Sequence, residues 1–215
     1  MQITLTNLGK HYNDKWIFNS LNFTFNHGEK YALIGSNGSG KSTLLKIIAG
    51  LETKDEGEIS YLNEEKDTIQ LTTNDFSFAA PYTLPIMEYS ALENLHFASE
   101  FKPFRNGLSA TDIFNLLPEN KRSKAKPLKL LSSGMSQRVK LLLALFADVP
   151  LVCLDEPLSN LDAEGEEWYH KIVADYFQDV TLLIASNKKA EYSFCSEYIQ
   201  MGELPLRHGK IKDLS

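Results

Sequence analysis

The chain has 215 residues, 43% hydrophobic and 23% charged, a composition that suits a soluble globular protein with one substantial core. A net charge of −6 and a pI near 5.4 argue against a surface built to attract nucleic acid. Neither cysteine, Cys153 or Cys195, has metal-site spacing, the N-terminus lacks a signal pattern, and the longest apolar stretch, Leu141 to Leu154, is broken by Asp148 and Pro150. The chain is therefore expected to be soluble by itself, and to meet a membrane only through a partner.

In chain order, Ile3–Leu8 alternates and Trp16–Phe25 is rich in β-branched and aromatic residues, so β structure is expected first. Gly9–Asp14 between them is turn-like. Its Tyr12 fits packing over its own hairpin, the commoner use of an aromatic, and also stacking on a purine base.

Tyr31–Ile34 is a short apolar run of buried-strand type, and Thr43–Ala49 has helix character with Gly50 suited to its C-terminal cap. Between them, Gly35-Ser36-Asn37-Gly38-Ser39-Gly40-Lys41-Ser42-Thr43 matches the phosphate-loop pattern G-x-x-x-x-G-K-[S/T]. Glycines let the backbone wrap a polyphosphate, and successive N–H groups with the helix N-terminus form an anion nest. Lys41 would reach the β and γ phosphates and Ser42 would offer its hydroxyl to Mg²⁺. The stretch is expected to bind a nucleoside triphosphate rather than to be a turn that merely joins strand to helix.

Further strands are expected at Gly57–Leu62, Thr68–Leu71 and Phe76–Phe78. Past Pro81 and Pro85 the spacing of Tyr89, Leu92, Leu95 and Phe97 predicts a helix over Glu88–Phe101, and Ser109–Asp112 resembles a second helix start. Lys121–Lys126 is a short basic cluster of the kind that makes a solvated connector. Met135–Ala147 is apolar on more than one face and predicts a buried helix. Leu151–Leu154 is a strand-type run ending in Asp155-Glu156, a carboxylate pair where α/β sheets bind ligands. A helix over Ala163–Phe177, a buried strand over Val180–Ala185 followed by Ser186-Asn187, and short closing strands near Tyr198–Met201 and Lys210–Ile211 complete the chain.

These motifs stand in an order that resembles the ATP-binding subunit of ABC transporters, over essentially the whole length. The phosphate loop looks like that family's Walker A, and Leu151–Glu156 like its Walker B, with Asp155 supporting Mg²⁺ and Glu156 in the place of the general base. Leu131-Ser132-Ser133-Gly134-Met135-Ser136-Gln137-Arg138 resembles the signature LSGGQxQR, and Pro157–Asp162 resembles the D-loop. Tyr12 falls where the family places its adenine-stacking aromatic. A GTPase should show N-K-x-D, whereas Asn187-Lys188-Lys189 is followed by Ala190.

The resemblance implies a P-loop NTPase (RecA-like) α/β core, residues 1–78 and 148–215, with an N-terminal antiparallel β portion and an inserted helical subdomain at 79–147. It implies an ATPase, working as a head-to-tail dimer with a second, identical ATP-binding subunit. Two ATP molecules would lie between the loop of one copy and Ser132 and Gly134 of the other. It also implies a separate transmembrane permease subunit, and hence a cytoplasmic protein held peripherally at the membrane.

Departures from the family pattern matter as well. No Gln follows the predicted strand that leads to the helical subdomain, where Phe78-Ala79-Ala80-Pro81-Tyr82 stands, and the switch His is Asn187, which can hydrogen-bond a γ phosphate but cannot carry a proton. The signature's first Gly is Ser133 and its Gln is Met135. Retention of Lys41, Ser42, Asp155, Glu156 and Ser132 favours active hydrolysis over the alternative, a nucleotide-gated regulatory module with slow or no turnover.

Overall fold

The computed structural model describes residues 1–118, 126–177, 179–202 and 207–211, so residues 121–125 of the basic cluster lie outside the described residues. Strands β1 (Gln2–Tyr12) and β2 (Lys15–Phe25) form an antiparallel hairpin closed with Tyr12 opposite Lys15. The expected turn at Gly9–Asp14 is mostly strand. Lys10 pairs with Phe18 and His11 with Trp16, leaving only Asn13 and Asp14 to reverse the chain, with Asn13 at a φ of 52°.

Strand β3 (Lys30–Ile34) leaves this hairpin, and the chain returns to it with β4 (Glu56–Leu62) on the other side of β1 and β5 (Thr68–Ile69) beyond. The result is one antiparallel sheet in the order β2-β1-β4-β5.

A second sheet takes β3 together with β6 (Phe76–Ala79), β7 (Leu151–Asp155), β8 (Thr181–Ser186), β9 (Glu197–Gln200) and β10 (Arg207–Lys210), in the order β10-β9-β3-β8-β7-β6. From β9 to β6 every pairing is parallel, and only β10 runs against its neighbour. Helices supply the crossovers that parallel strands require. Helix α1 (Lys41–Ile48) follows β3. Helices α2 (Ala91–Ser99), α3 (Ala110–Asn115) and α4 (Ser133–Phe146) lie between β6 and β7. Helix α5 (Ala163–Tyr176) follows β7, and the short α6 (Lys189–Tyr192) follows β8. This is the expected α/β phosphate-loop core with an antiparallel portion.

Burial on both faces explains the unbroken apolar runs. Every residue of β7 and β8 is buried. The strand period of two splits them between two clusters. Ala32, Ile34, Val152, Leu154, Leu182 and Ile184 pack with α4 and α5, whereas Tyr31, Leu33, Leu151, Cys153, Leu183 and Ala185 pack with α1 and the antiparallel sheet.

Two helix ends differ from expectation for local reasons. Helix α2 begins at Ala91, not Glu88, because the Ser90 hydroxyl accepts from the Glu93 N–H while the Glu93 carboxylate accepts from the Ser90 N–H. Helix α4 begins at Ser133 because the Ser132 hydroxyl caps it, accepting from the Met135 N–H at 3.2 Å. At its other end the buried Arg105 donates to the carbonyls of Leu145 (2.8 Å) and Ala147 (2.7 Å) and lies 4.7 Å from the centre of the Phe177 ring. That end is closed by a cation, as the helix dipole favours.

Candidate nucleotide site

Parallel strands bring their carboxyl ends to one edge of the sheet, and ligands of open α/β sheets bind there. Here β3 runs into Gly35–Gly40, β7 into Asp155-Glu156, β8 into Ser186-Asn187 and β6 into Ala80. The loop is shaped by glycine. Gly40 has a φ of 97°, and a Cβ there would stand 2.3 Å from the Ile17 side chain.

Lys41 is buried and folds back over the loop, donating to the carbonyls of Gly35 and Ser36, each at 2.9 Å. Burial lowers its pKa, and Glu156 and Asp155 act in the opposite direction. The two carbonyls occupy donors that phosphate oxygens could take. The Ser39 hydroxyl, also buried, has no hydrogen-bond partner. A loop with an inward cation and an unpaired buried hydroxyl is built for an anion.

Asp155 is equally suggestive. Its Oδ1 is buried without a partner, and burial raises its pKa while the Ser42 hydroxyl pulls it down. An orphaned carboxylate oxygen beside a hydroxyl fits a hard divalent cation that takes oxygen ligands, so Ser42 and Asp155 suit Mg²⁺.

Glu156 adopts a φ of 47°, in a left-handed conformation that costs a non-glycine residue about 1–2 kcal/mol. It is held there by its N–H on the Ala185 carbonyl at 2.9 Å and by the Ser159 hydroxyl, which donates to its carboxylate at 3.4 Å. Asn187 reaches the loop directly: its amide donates to the Asn37 side-chain oxygen at 2.9 Å.

Tyr12 stands beside the start of α1, 46% exposed, its hydroxyl donating to Glu52 with Thr43 nearby and the Lys10 ammonium 5.1 Å from its ring centre. The Glu52 hydrogen bond, chiefly, raises its phenol pKa. Gly35–Thr43, Asp155, Glu156 and Asn187 thus gather at one edge with Tyr12 on their rim.

Ser132 and Gly134 do not join them. They lie at the start of α4 against the Pro157–Asp162 segment, where a Cβ on Gly134 would approach the Asn160 carbonyl oxygen to 3.0 Å. Gln137 fixes the same segment by donating to the Pro157 carbonyl at 2.7 Å. Among the described residues, neither Ser132 nor Gly134 makes a hydrogen bond to the phosphate loop.

The sequence reading missed Glu191. Fully buried on α6, it accepts from the Leu158 N–H at 3.1 Å, and burial raises its pKa. A lone Glu on a four-residue helix carries no pattern that would single it out.

The family model described as ABC transporter matches residues 18–159, spanning the loop, the α4 start and the Asp155-Glu156 pair. The chain belongs to the ABC transporter family. Among curated relatives, it is 31% identical over 189 residues to the sulfate/thiosulfate import ATP-binding protein CysA of Pseudomonas putida, covering 85% of this chain and 57% of that one. It is 30% identical over 203 residues to the lantibiotic transport ATP-binding protein SrtF of Streptococcus pyogenes, covering 92% and 85%.

The chain therefore spans little more than half the length of some curated relatives. A solved dimeric bacterial ABC transporter cassette superposes with a TM-score of 0.77 at 24% identity, covering 97% of this chain and 98% of that one, which establishes the shared fold.

Proposed function

We propose that this ABC-family chain binds and hydrolyses ATP in a head-to-tail homodimer and thereby drives a separate membrane-spanning subunit. The observation that carries the reading is the pairing, at one sheet edge, of Lys41 and the orphaned Asp155 oxygen with Glu156 held in a strained conformation. Tyr12 would stack the adenine, and Gly35–Thr43 would cradle the phosphates, with Lys41 exchanging the Gly35 and Ser36 carbonyls for phosphate oxygens. Mg²⁺, held through Ser42 and Asp155, would neutralise phosphate charge. Glu156 would take the proton of the attacking water, and Asn187 would leave Asn37 for the γ phosphate.

Among the described residues the start of α4 packs against Pro157–Asp162 and makes no hydrogen bond to this loop, which supports a partner role: Ser132 and Gly134 would complete the site of the second copy. Residues 79–147 would act as the helical subdomain on which the membrane subunit docks. Among the described residues no helix is long and apolar enough to cross a membrane. The membrane-spanning part would be the permease subunit, with this chain at its cytoplasmic face.

The test is phosphate release by the purified protein against Glu156→Gln and Lys41→Ala. Release by the parent well above both variants is expected, and an equal background from all three would sink the ATPase reading. Glu156→Gln with Mg-ATP should also double the solution mass. A persistent monomer would contradict the head-to-tail dimer.

A further inference from the structure

The rim of the nucleotide site carries a charge cluster that the phosphate chemistry does not use. Residues 49–55, between α1 and β4, are tied to the end of β1, where the Asp55 N–H donates to the Gly9 carbonyl at 3.0 Å. Lys10 is more than nine-tenths buried at this junction. Its ammonium donates to the Thr53 carbonyl at 2.8 Å and lies 3.5 Å from the Asp55 carboxylate and 3.8 Å from that of Glu52. Asp55 in turn accepts from the His11 N–H at 2.8 Å.

Tyr12 is the residue on which the cluster converges. Its hydroxyl donates to the Glu52 carboxylate, with the Thr43 side chain beside it. The Lys10 ammonium stands over one face of its ring, 5.1 Å from the centre. The neighbouring His11 and Trp16 rings pair with each other, edge-on at 5.1 Å. A cation over one face and a carboxylate at the tip hold the ring at two points and so fix its plane. The opposite face is left for a flat ligand, and 46% of the residue is exposed.

Folding stability does not account for the Glu52 bond. A hydrogen bond at an exposed tyrosine contributes little to folding, because water takes its place. Lys10 keeps the closer carboxylate, Asp55, when Glu52 is removed. What Glu52 adds is order in the ring before a ligand arrives. Binding to a side chain that is already fixed avoids an ordering cost that otherwise weakens a complex by about two- to tenfold.

We propose that Glu52, together with Lys10, is a positioning residue for the nucleotide base: it fixes the plane of Tyr12, so that the base stacks on a preset ring face. The proposal rests on the ATP-binding reading above. Affinity for the base, and not for the phosphates, then depends on a carboxylate in the loop after α1.

Calorimetric titration of the purified full chain with the non-hydrolysable analogue AMP-PNP and with inorganic tripolyphosphate, both with Mg²⁺, separates the two. Tripolyphosphate offers a phosphate chain without base or sugar. Glu52→Ala should bind AMP-PNP about three- to tenfold more weakly than the parent. Tyr12→Phe keeps the ring but not the hydroxyl and should lose as much, and the Tyr12→Phe/Glu52→Ala double variant should lose no more than either. Glu52→Gln, whose amide oxygen still accepts from the phenol, should stay within about twofold of the parent. Tripolyphosphate should bind Glu52→Ala as it binds the parent, and in phosphate release the Glu52→Ala change should appear as a raised KM.

Glu52→Ala binding AMP-PNP like the parent, while Tyr12→Ala binds it more weakly, overturns the positioning role and leaves base stacking standing. Additive losses in the double variant, or parallel losses for AMP-PNP and tripolyphosphate, overturn it too. If Tyr12→Ala binds AMP-PNP as tightly as the parent, no base lies on Tyr12, and that part of the ATP-binding reading falls together with this proposal.

Discussion

The amide of Asn187 donates to the side-chain oxygen of Asn37 at 2.9 Å, joining two residues 150 positions apart in sequence. One sits past β8 where the family places a histidine, the other inside the phosphate loop. The bond holds Asn187 against the phosphate loop, but with a group that cannot hold a positive charge.

Asn187→His should therefore raise the turnover of ATP by about 10-fold or more, since a well-placed catalytic group contributes about 10²–10⁴-fold. Asn187→Ala should lower it. Steady-state phosphate release decides the matter, and identical rates for the three proteins would show that this position does not limit the reaction.

Asp155 makes the stability of the chain pH-sensitive. Burial raises its pKa, so the folded chain retains a proton that the unfolded chain gives up. Stability from this group is fully present below the ordinary carboxylate pKa and is lost as pH rises through the raised value. Asp155→Asn should accordingly melt about 2–4 °C higher than the parent at neutral pH without nucleotide, on the basis of about 1 kcal/mol relieved. The gap should close near pH 4, roughly the unfolded carboxylate pKa. Mg-ATP should raise the melting point of the parent far more than that of the variant. Equal melting at neutral pH would contradict the argument.

Gly134 has little room for a methyl group, because a Cβ there would stand 3.0 Å from the Asn160 carbonyl oxygen. Gly134→Ala should displace the Pro157–Asp162 segment and lower kcat by about 10- to 100-fold, the scale expected when an ångström of misplacement reaches a catalytic group. Binding of a fluorescent ATP analogue to the monomer should be unaltered. An unchanged kcat would remove Gly134 from the mechanism.

Arg105 is structural. Its loss in Arg105→Ala strips the Leu145 carbonyl of its side-chain donor inside the core and leaves the Ala147 carbonyl only the Val149 N–H, and should cost about 3 kcal/mol of stability by urea unfolding. A cost below about 1 kcal/mol would mean that water replaces the guanidinium there.

The local half of this molecule was legible from the chain alone. Gly35–Thr43 announces itself because strand, loop and helix are contiguous, and β7 and β8 because burial on both faces leaves no polar position. What escaped depends on contacts across the chain. The hairpin runs on to Tyr12 because Trp16 and Phe18 pair across it, which no window over Gly9–Asp14 contains. Glu191, Lys140 and Arg105 each look like ordinary surface charge until the fold buries them. The start of α2 was misplaced for a nearer reason: the Ser90–Glu93 capping box was in view, but the apolar spacing masked it.

The strand order carries one more consequence. Because β8 lies between β3 and β7, the strand that leads into the phosphate loop and the strand that leads into Glu156 are two inter-strand steps apart, roughly 10 Å. In the proposed site that interval would leave room for a terminal phosphate and a water molecule between Gly35–Lys41 and Glu156. Adjacent strands would leave only about half that width. The distance between the two loops is thus set by backbone hydrogen bonding, which side-chain substitutions do not rescale, and β8 serves as the spacer.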